Sequence, residues 1–97
     1  MKLSICIITK NEEENIERCL QSFQKYDFEL VVVDTGSTDQ TKNIAYKYTS
    51  HVYDYEWCDD FAAAKNYAVS KASEEYVMVI DSDEYFDSIS SVMYYMD

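Results

Sequence analysis

The segment Val77–Phe86, VMVIDSDEYF, runs four apolar residues straight into Asp81, Asp83 and Glu84, three carboxylates within four positions. A short apolar run of this kind reads as a strand buried on both faces, as in a parallel sheet covered by helices. Why such a strand should end in a knot of negative charge depends on what lies around it.

Upstream, Leu3–Thr9 (LSICIIT) is a second near-continuous apolar run, and Phe28–Val33 (FELVVV), closing at Asp34, is a third. Between them KNEEENIERCLQSFQKY places Ile16, Cys19, Leu20 and Phe23 at i, i+3, i+4 and i+7, one helical stripe. Asn11 is a candidate N-cap with Glu14 three residues on. The turn DTGSTD holds the single glycine, Gly36, where positive φ is cheapest; Ser37, Thr38 or Asp39 can cap a helix carrying Ile44, Ala45 and Tyr48. His51–Tyr55 (HVYDY) alternates like a half-exposed edge strand. Asp59 or Asp60 caps a third helix with Phe61, Ala64, Ala68 and Ala72 as its inward face. Ser88 caps a last helix whose stripe is Ile89, Val92, Met93 and Met96.

Strand–helix alternation repeated four times predicts an α/β fold: a doubly wound, mainly parallel, Rossmann-like sheet with right-handed crossovers in three α/β/α layers. With strand order 3-2-1-4 the switch point falls between the first and fourth strands, beside Asn11 and Asp83. Ligands of such sheets bind beyond the carboxyl ends of the strands. Here three of the four ends are polar or acidic: Thr9–Glu12, Asp34–Ser37 and Asp81–Glu84.

The 97 residues are one domain at most, with 47% hydrophobic content suited to a single core. A net charge of −11 leaves no basic footprint for a nucleic acid. Beyond His51 only Lys65 and Lys71 oppose eleven acidic side chains, so a phosphorylated ligand needs a cation to mediate. Three cysteines, Cys6, Cys19 and Cys58, form no CxxC pair and read as reduced, which points to the cytoplasm. His51 and Trp57 read as structural. No stretch approaches a membrane span or a signal peptide.

Asp81 and Asp83 lie two positions apart, roughly 6–7 Å along a strand. Their repulsion at an effective dielectric near 20 is about 2–3 kcal/mol, tolerable if a cation sits beside them. Hard divalent ions take such oxygens and leave positions for water and phosphates, whereas the lack of clustered His and Cys argues against structural zinc. A solvated acidic turn is the alternative reading of the same residues. A single glycine excludes a GxGxxG fingerprint or a P-loop.

Taken together, SICIITKNEEENIERCLQSF, VVVDTGSTDQT, DDFAAAKNYAV and VIDSDE, in this order and spacing, resemble the N-terminal nucleotide-sugar-binding half of family 2 glycosyltransferases, which have the GT-A fold. The resemblance covers roughly Leu3–Phe86. It implies metal-assisted, inverting transfer of a sugar from a nucleoside-diphosphate sugar, a UDP-sugar favoured, to an acceptor, with Mg²⁺ or Mn²⁺ as cofactor. By the same resemblance Thr9, Asn11 and Glu12 contact the nucleoside, Asp34 reads the base, and Ser37 lies in the turn beneath it. Lys65, with Asn66, stands near the diphosphate. Asp83 is the direct metal ligand, with Asp81 as a second ligand or on the ribose or sugar. Thr9-Lys10 replaces the proline many members carry there. The resemblance places the general base and the acceptor-binding half downstream of Asp97, so residues 1–97 are expected to be a truncated donor-binding part, inactive alone. Such a piece would self-associate through the apolar face near Ile89, Val92 and Met96, and the full-length protein would be cytoplasmic or membrane-peripheral. The competing readings are a receiver-like Mg²⁺-binding signalling module and a nucleotide-binding domain without turnover.

Overall fold

A computed structural model of the chain describes residues 3–24, 26–57 and 59–81. Four parallel strands, β1 (Leu3–Thr9), β2 (Glu29–Asp34), β3 (Val52–Asp54) and β4 (Tyr76–Asp81), form one sheet in the order β3-β2-β1-β4. Helices α1 (Ile16–Gln21), α2 (Thr41–Ala45) and α3 (Phe61–Lys71) make the crossovers. The expected class and strand order are both present. Cys58, Asp83 and the last helix expected from Ser88 lie outside the described residues.

β1 is buried along its whole length because it pairs on both sides, Cys6 lying opposite Val31 on one and Val79 on the other. Its side chains alternate between two cores, as the pleat requires. Leu3, Ile5 and Ile7 join Ile16, Cys19, Leu20 and Phe23 of the α1 segment and Ala45 of α2 on one face. Cys6 and Ile8 meet Ala64 and Ala68 of α3 on the other. Each buried Ile or Leu contributes about 1.5–3 kcal/mol, and three layers result.

Small residues let α3 lie close to the sheet, where the Cys6 thiol donates to the Ala68 carbonyl at 3.5 Å. Burial, followed by the charge of Glu29, pushes that thiol up to about 12, so Cys6 is inert packing at neutral pH. Asp60 is extended and accepts from the Ala63 amide at 3.1 Å, capping α3 as the sequence predicted.

Two local expectations fail. Asn11 is not the N-cap of α1: the helix begins at Ile16 after Asn15, and Asn11 has a left-handed backbone with φ of 52°. Its side chain is engaged elsewhere, on the loop after β2. Phe61 is 50% exposed and does not belong to the inward face of α3. It is the first residue of the helix, where the Cα–Cβ bond tilts back past the helix start and away from the sheet-facing alanines.

At the amino end of the sheet one carboxylate ties three segments. Glu29 accepts from the Ser4 hydroxyl (2.6 Å), the Ser73 amide (2.9 Å) and the Ser73 hydroxyl (2.6 Å). Burial alone would raise its pKa; the hydrogen bonds from Ser4 and Ser73, helped by His51, outweigh it and hold the group below its ordinary 4.5. A carboxyl depressed in the folded state stabilises the fold above its unfolded value and loses that contribution as pH falls through the folded value. Glu29→Gln is therefore expected to cost about 1 kcal/mol at pH 7, at the low end for charged hydrogen bonds because the group is partly solvated. The deficit should shrink below pH 4.5. Urea unfolding between pH 7 and pH 3 measures it, and a deficit that does not change with pH would refute this role.

Candidate functional site

The carboxyl ends of β1, β2 and β4 lie side by side. Thr9 is in register with Asp34, and Ile8 with Asp81, so the last residues of β2 and β4 flank the end of β1. Two strand spacings put their backbones about 10 Å apart. Thr35 extends the β1–β2 ladder past its end, its amide (2.9 Å) and its hydroxyl (3.1 Å) both donating to the Thr9 carbonyl. Thr9 itself is buried beneath the site.

Asp34 is the most unusual group. Its side chain is 1% exposed, although it closes a strand at a loop. Oδ1 accepts from the amides of Gly36 (2.8 Å) and Ser37 (2.7 Å), a turn that Gly36 permits with φ of 118°. Oδ2 is buried and has no partner among the described residues. A buried acceptor left unmet costs about 1–3 kcal/mol or more when charged, so its retention suggests a donor arriving with a ligand.

The loop after β1 is fastened to the loop after β2. The Asn11 amide donates to Ser37 Oγ at 2.8 Å, and Asn11 Oδ1 accepts from the Thr38 amide at 2.7 Å. The Glu12 amide donates to Thr41 Oγ1 at 2.8 Å and the Glu13 amide to Asp39 Oδ2 at 3.3 Å. Asp39 Oδ1 in turn accepts from the Thr41 amide (2.9 Å) and the Thr41 hydroxyl. That hydroxyl, first among several donors, holds the Asp39 carboxyl below its ordinary range. None of the three residues expected to cap α2 is its N-cap: that position is Gln40, which makes no side-chain cap hydrogen bond, and Asp39 accepts from the Thr41 amide from one residue further back.

Thr9, Asn11, Glu12, Asp34 and Ser37 are therefore brought together, with the backbone of Asp81 next to β1. Lys65 is on the exposed side of α3, which packs on the sheet face opposite α1 and α2. Among the described residues no ion pair or hydrogen bond joins Lys65 to the two loops. Lys42 was not foreseen: its ammonium meets the Asp54 carboxylate at 2.7 Å, linking α2 to the strand beside Asp34. Thr41 also escaped the sequence reading, although the hydroxyl-rich run STDQT could have signalled side chains that hold backbone.

An open cleft of about 320 Å³ runs along Asn11–Asn15 and Asp39 at this end. A larger one, about 430 Å³ and lined by Phe28, Glu29, Tyr48 and His51 among others, lies at the amino end of β2. The first lies toward the carboxyl ends of the strands, where doubly wound sheets bind ligands, although Asp34 does not line it. Among the described residues no three Asp, Glu, His or Cys converge on a metal position. The expected metal ligands, Asp83 and the side chain of Asp81, lie outside the described residues.

A family model described as Glycosyl transferase family 2 matches residues 4–96. The poly(ribitol-phosphate) β-N-acetylglucosaminyltransferase TarS of Staphylococcus aureus is 37% identical over 90% of this chain and 17% of its own length. The TarS crystal structure superposes with a TM-score of 0.81 at 34% identity, covering 97% of this chain and 19% of that one. The mannosyltransferase PcManGT of Pyrobaculum calidifontis, in complex with GDP-Man and Mn²⁺, gives 0.78 at 25% identity over 90% of this chain and 29% of that one. Glucosyl-3-phosphoglycerate synthase of Mycobacterium tuberculosis, with Mn²⁺ and UDP-glucose, gives 0.72 at 26% identity over 87% and 34%. The chain thus spans about a sixth to a third of the length of these relatives.

Proposed function

The chain belongs to glycosyl transferase family 2, and on that premise we propose that it is the donor-binding part of an enzyme that transfers a sugar from a nucleoside-diphosphate sugar to an acceptor. The observation that carries the reading is Asp34, buried at the end of β2 with Oδ1 satisfied and Oδ2 unmet. An acceptor-only oxygen suits a base that presents a ring N–H, the imide of uracil at N3 or the lactam of guanine at N1. The two neighbouring complexes carry UDP-glucose and GDP-Man, which supports the same choice, and we favour a UDP-sugar.

In this reading Asn11 and Glu12 contact the nucleoside from one side, and Ser37 fixes the turn that presents Asp34. Lys65 offers a positive charge to the diphosphate. Asp81 and Asp83 hold Mg²⁺ or Mn²⁺, which when bound neutralises charge that grows on the departing nucleoside diphosphate. The chain has eleven more negative than positive side chains, so its own residues repel a diphosphate unless that charge is offset. Inversion at the anomeric carbon, cytoplasmic action and a general base outside residues 1–97 belong to the same proposal. The fraction of its relatives' length that the chain spans supports its being one part of a larger catalytic domain. Among the described residues no helix is long and apolar enough to cross a membrane. The family match displaces the receiver-like reading.

Calorimetric titration with UDP, GDP and CDP, each with and without Mn²⁺, tests the proposal. Binding of UDP or GDP that strengthens with Mn²⁺ is the expected result; no binding of either, or binding indifferent to the metal, would overturn it. Asp83→Ala should abolish the gain due to Mn²⁺, a loss of about tenfold or more, and leave the metal-free affinity as it was.

A further inference from the structure

We propose that Thr41 is a positioning residue for the nucleotide site, acting through its buried hydroxyl on the backbone of Glu12. The inference rests on the donor-site reading above and assigns a role to a residue that touches no ligand in it. Three successive amides of the loop after β1, those of Asn11, Glu12 and Glu13, are taken by three side chains of the run after β2: Ser37, Thr41 and Asp39. Thr41 is the centre of that mould. It is fully buried, its hydroxyl donates to Asp39 and accepts from Glu12, and its own amide donates to the same Asp39 oxygen.

The consequence reaches the candidate contacts. Glu12 opens the turn into α1, its carbonyl accepting from the amides of Asn15 (2.9 Å) and Ile16 (2.8 Å). Asn11, just before it, is held left-handed by Ser37 and Thr38. Fixing the Glu12 amide therefore fixes both the start of α1 and the direction in which Asn11 and Glu12 meet a nucleoside. A loop set before the ligand arrives does not have to be ordered by it, which lowers the cost of binding. Thr41 thus converts the start of α2 into control over the end of β1.

Hydrogen exchange and nucleotide titration of the chain test this together. In the ligand-free chain the amides of Asn11, Glu12 and Glu13 should already exchange slowly; protection that appears only when UDP and Mn²⁺ are added would overturn the inference. Thr41→Val, which keeps the shape and removes both hydrogen bonds, should speed exchange at Glu12 and weaken UDP affinity about tenfold. Thr41→Ser should restore it to within about threefold. Wild-type affinity in Thr41→Val, or equal loss in both variants, would sink the positioning role. If Thr41→Val does not fold, the ligand-free exchange of the wild-type chain decides. A wild-type chain that binds neither UDP nor GDP with Mn²⁺ would instead bring down the donor-site reading itself, and this inference with it.

Discussion

Asp34→Asn is expected to lower UDP affinity about a hundredfold while leaving the melting temperature little changed. The substitution is isosteric. The amides of Gly36 and Ser37 lie 2.8 Å and 2.7 Å from Oδ1 and fix the amide oxygen in that place. The nitrogen must then occupy the position of Oδ2, which has no partner among the described residues. An acceptor becomes a pair of donors facing the ring N–H of uracil or guanine. A hydrogen bond to a charged acceptor contributes about 1.5–3 kcal/mol, and the opposed donors add to the loss. Stability should change little, because a buried charged oxygen without a partner is exchanged for a buried neutral amide nitrogen without one. Cytosine supplies the control: its N3 is an acceptor, so the gap between UDP and CDP should narrow in the variant. Titration calorimetry with both nucleotides and a thermal melt suffice. UDP binding as tight as in the wild type would show that Asp34 does not read the base.

The fold was legible because its signals are local. LSICIIT and ELVVV are apolar on both faces, as suits the central strands of a covered parallel sheet; YVMVI reads alike, yet among the described residues it is the edge strand β4, with Val77 and Val79 only half-buried. The short β3, with its half-buried pattern, announced an edge. Asp34 was legible for the same reason, as a charge at the end of a buried strand. What failed depends on distance along the chain. Asn11, with Glu14 three residues later, has the form of a capping box, yet its partners are Ser37 and Thr38, 26 and 27 residues away. No periodicity can anticipate a side chain that forgoes its own helix for another loop. Thr41 was passed over because a threonine at a helix start ordinarily serves that helix. Here its hydroxyl serves Glu12 across 29 positions.

Phe23→Ala is expected to destabilise the chain by about 3–5 kcal/mol, and Phe61→Ala by no more than about 0.5 kcal/mol. Sequence alone would rank them together, as each is an aromatic on the stripe of a predicted helix. Phe23 is 1% exposed and lies in the core between the α1 segment and the sheet, with the Phe28 ring tilted against it at 6.4 Å and Tyr26 stacked on Phe28 at 5.1 Å. Removing its ring leaves a cavity beneath β1 that neighbouring strands, fixed by ladders on both sides, cannot close. Phe61 is half exposed at the first position of α3, so its truncation removes little burial. Domains of this size hold about 5–15 kcal/mol in all. At about 4–8 °C per kcal/mol the first variant should melt on the order of 12–40 °C lower, and the second within a few degrees of the wild type. The same cavity would loosen the layer on which α1 and α2 rest, and with it the two loops that hold Asn11, Glu12 and Asp34. Nucleotide affinity should accordingly fall in Phe23→Ala even where the variant is still folded, and stay unchanged in Phe61→Ala. Thermal melts with and without UDP and Mn²⁺ separate these cases. Equal melting temperatures for the two variants would mean that the layer beneath the sheet does not carry the fold.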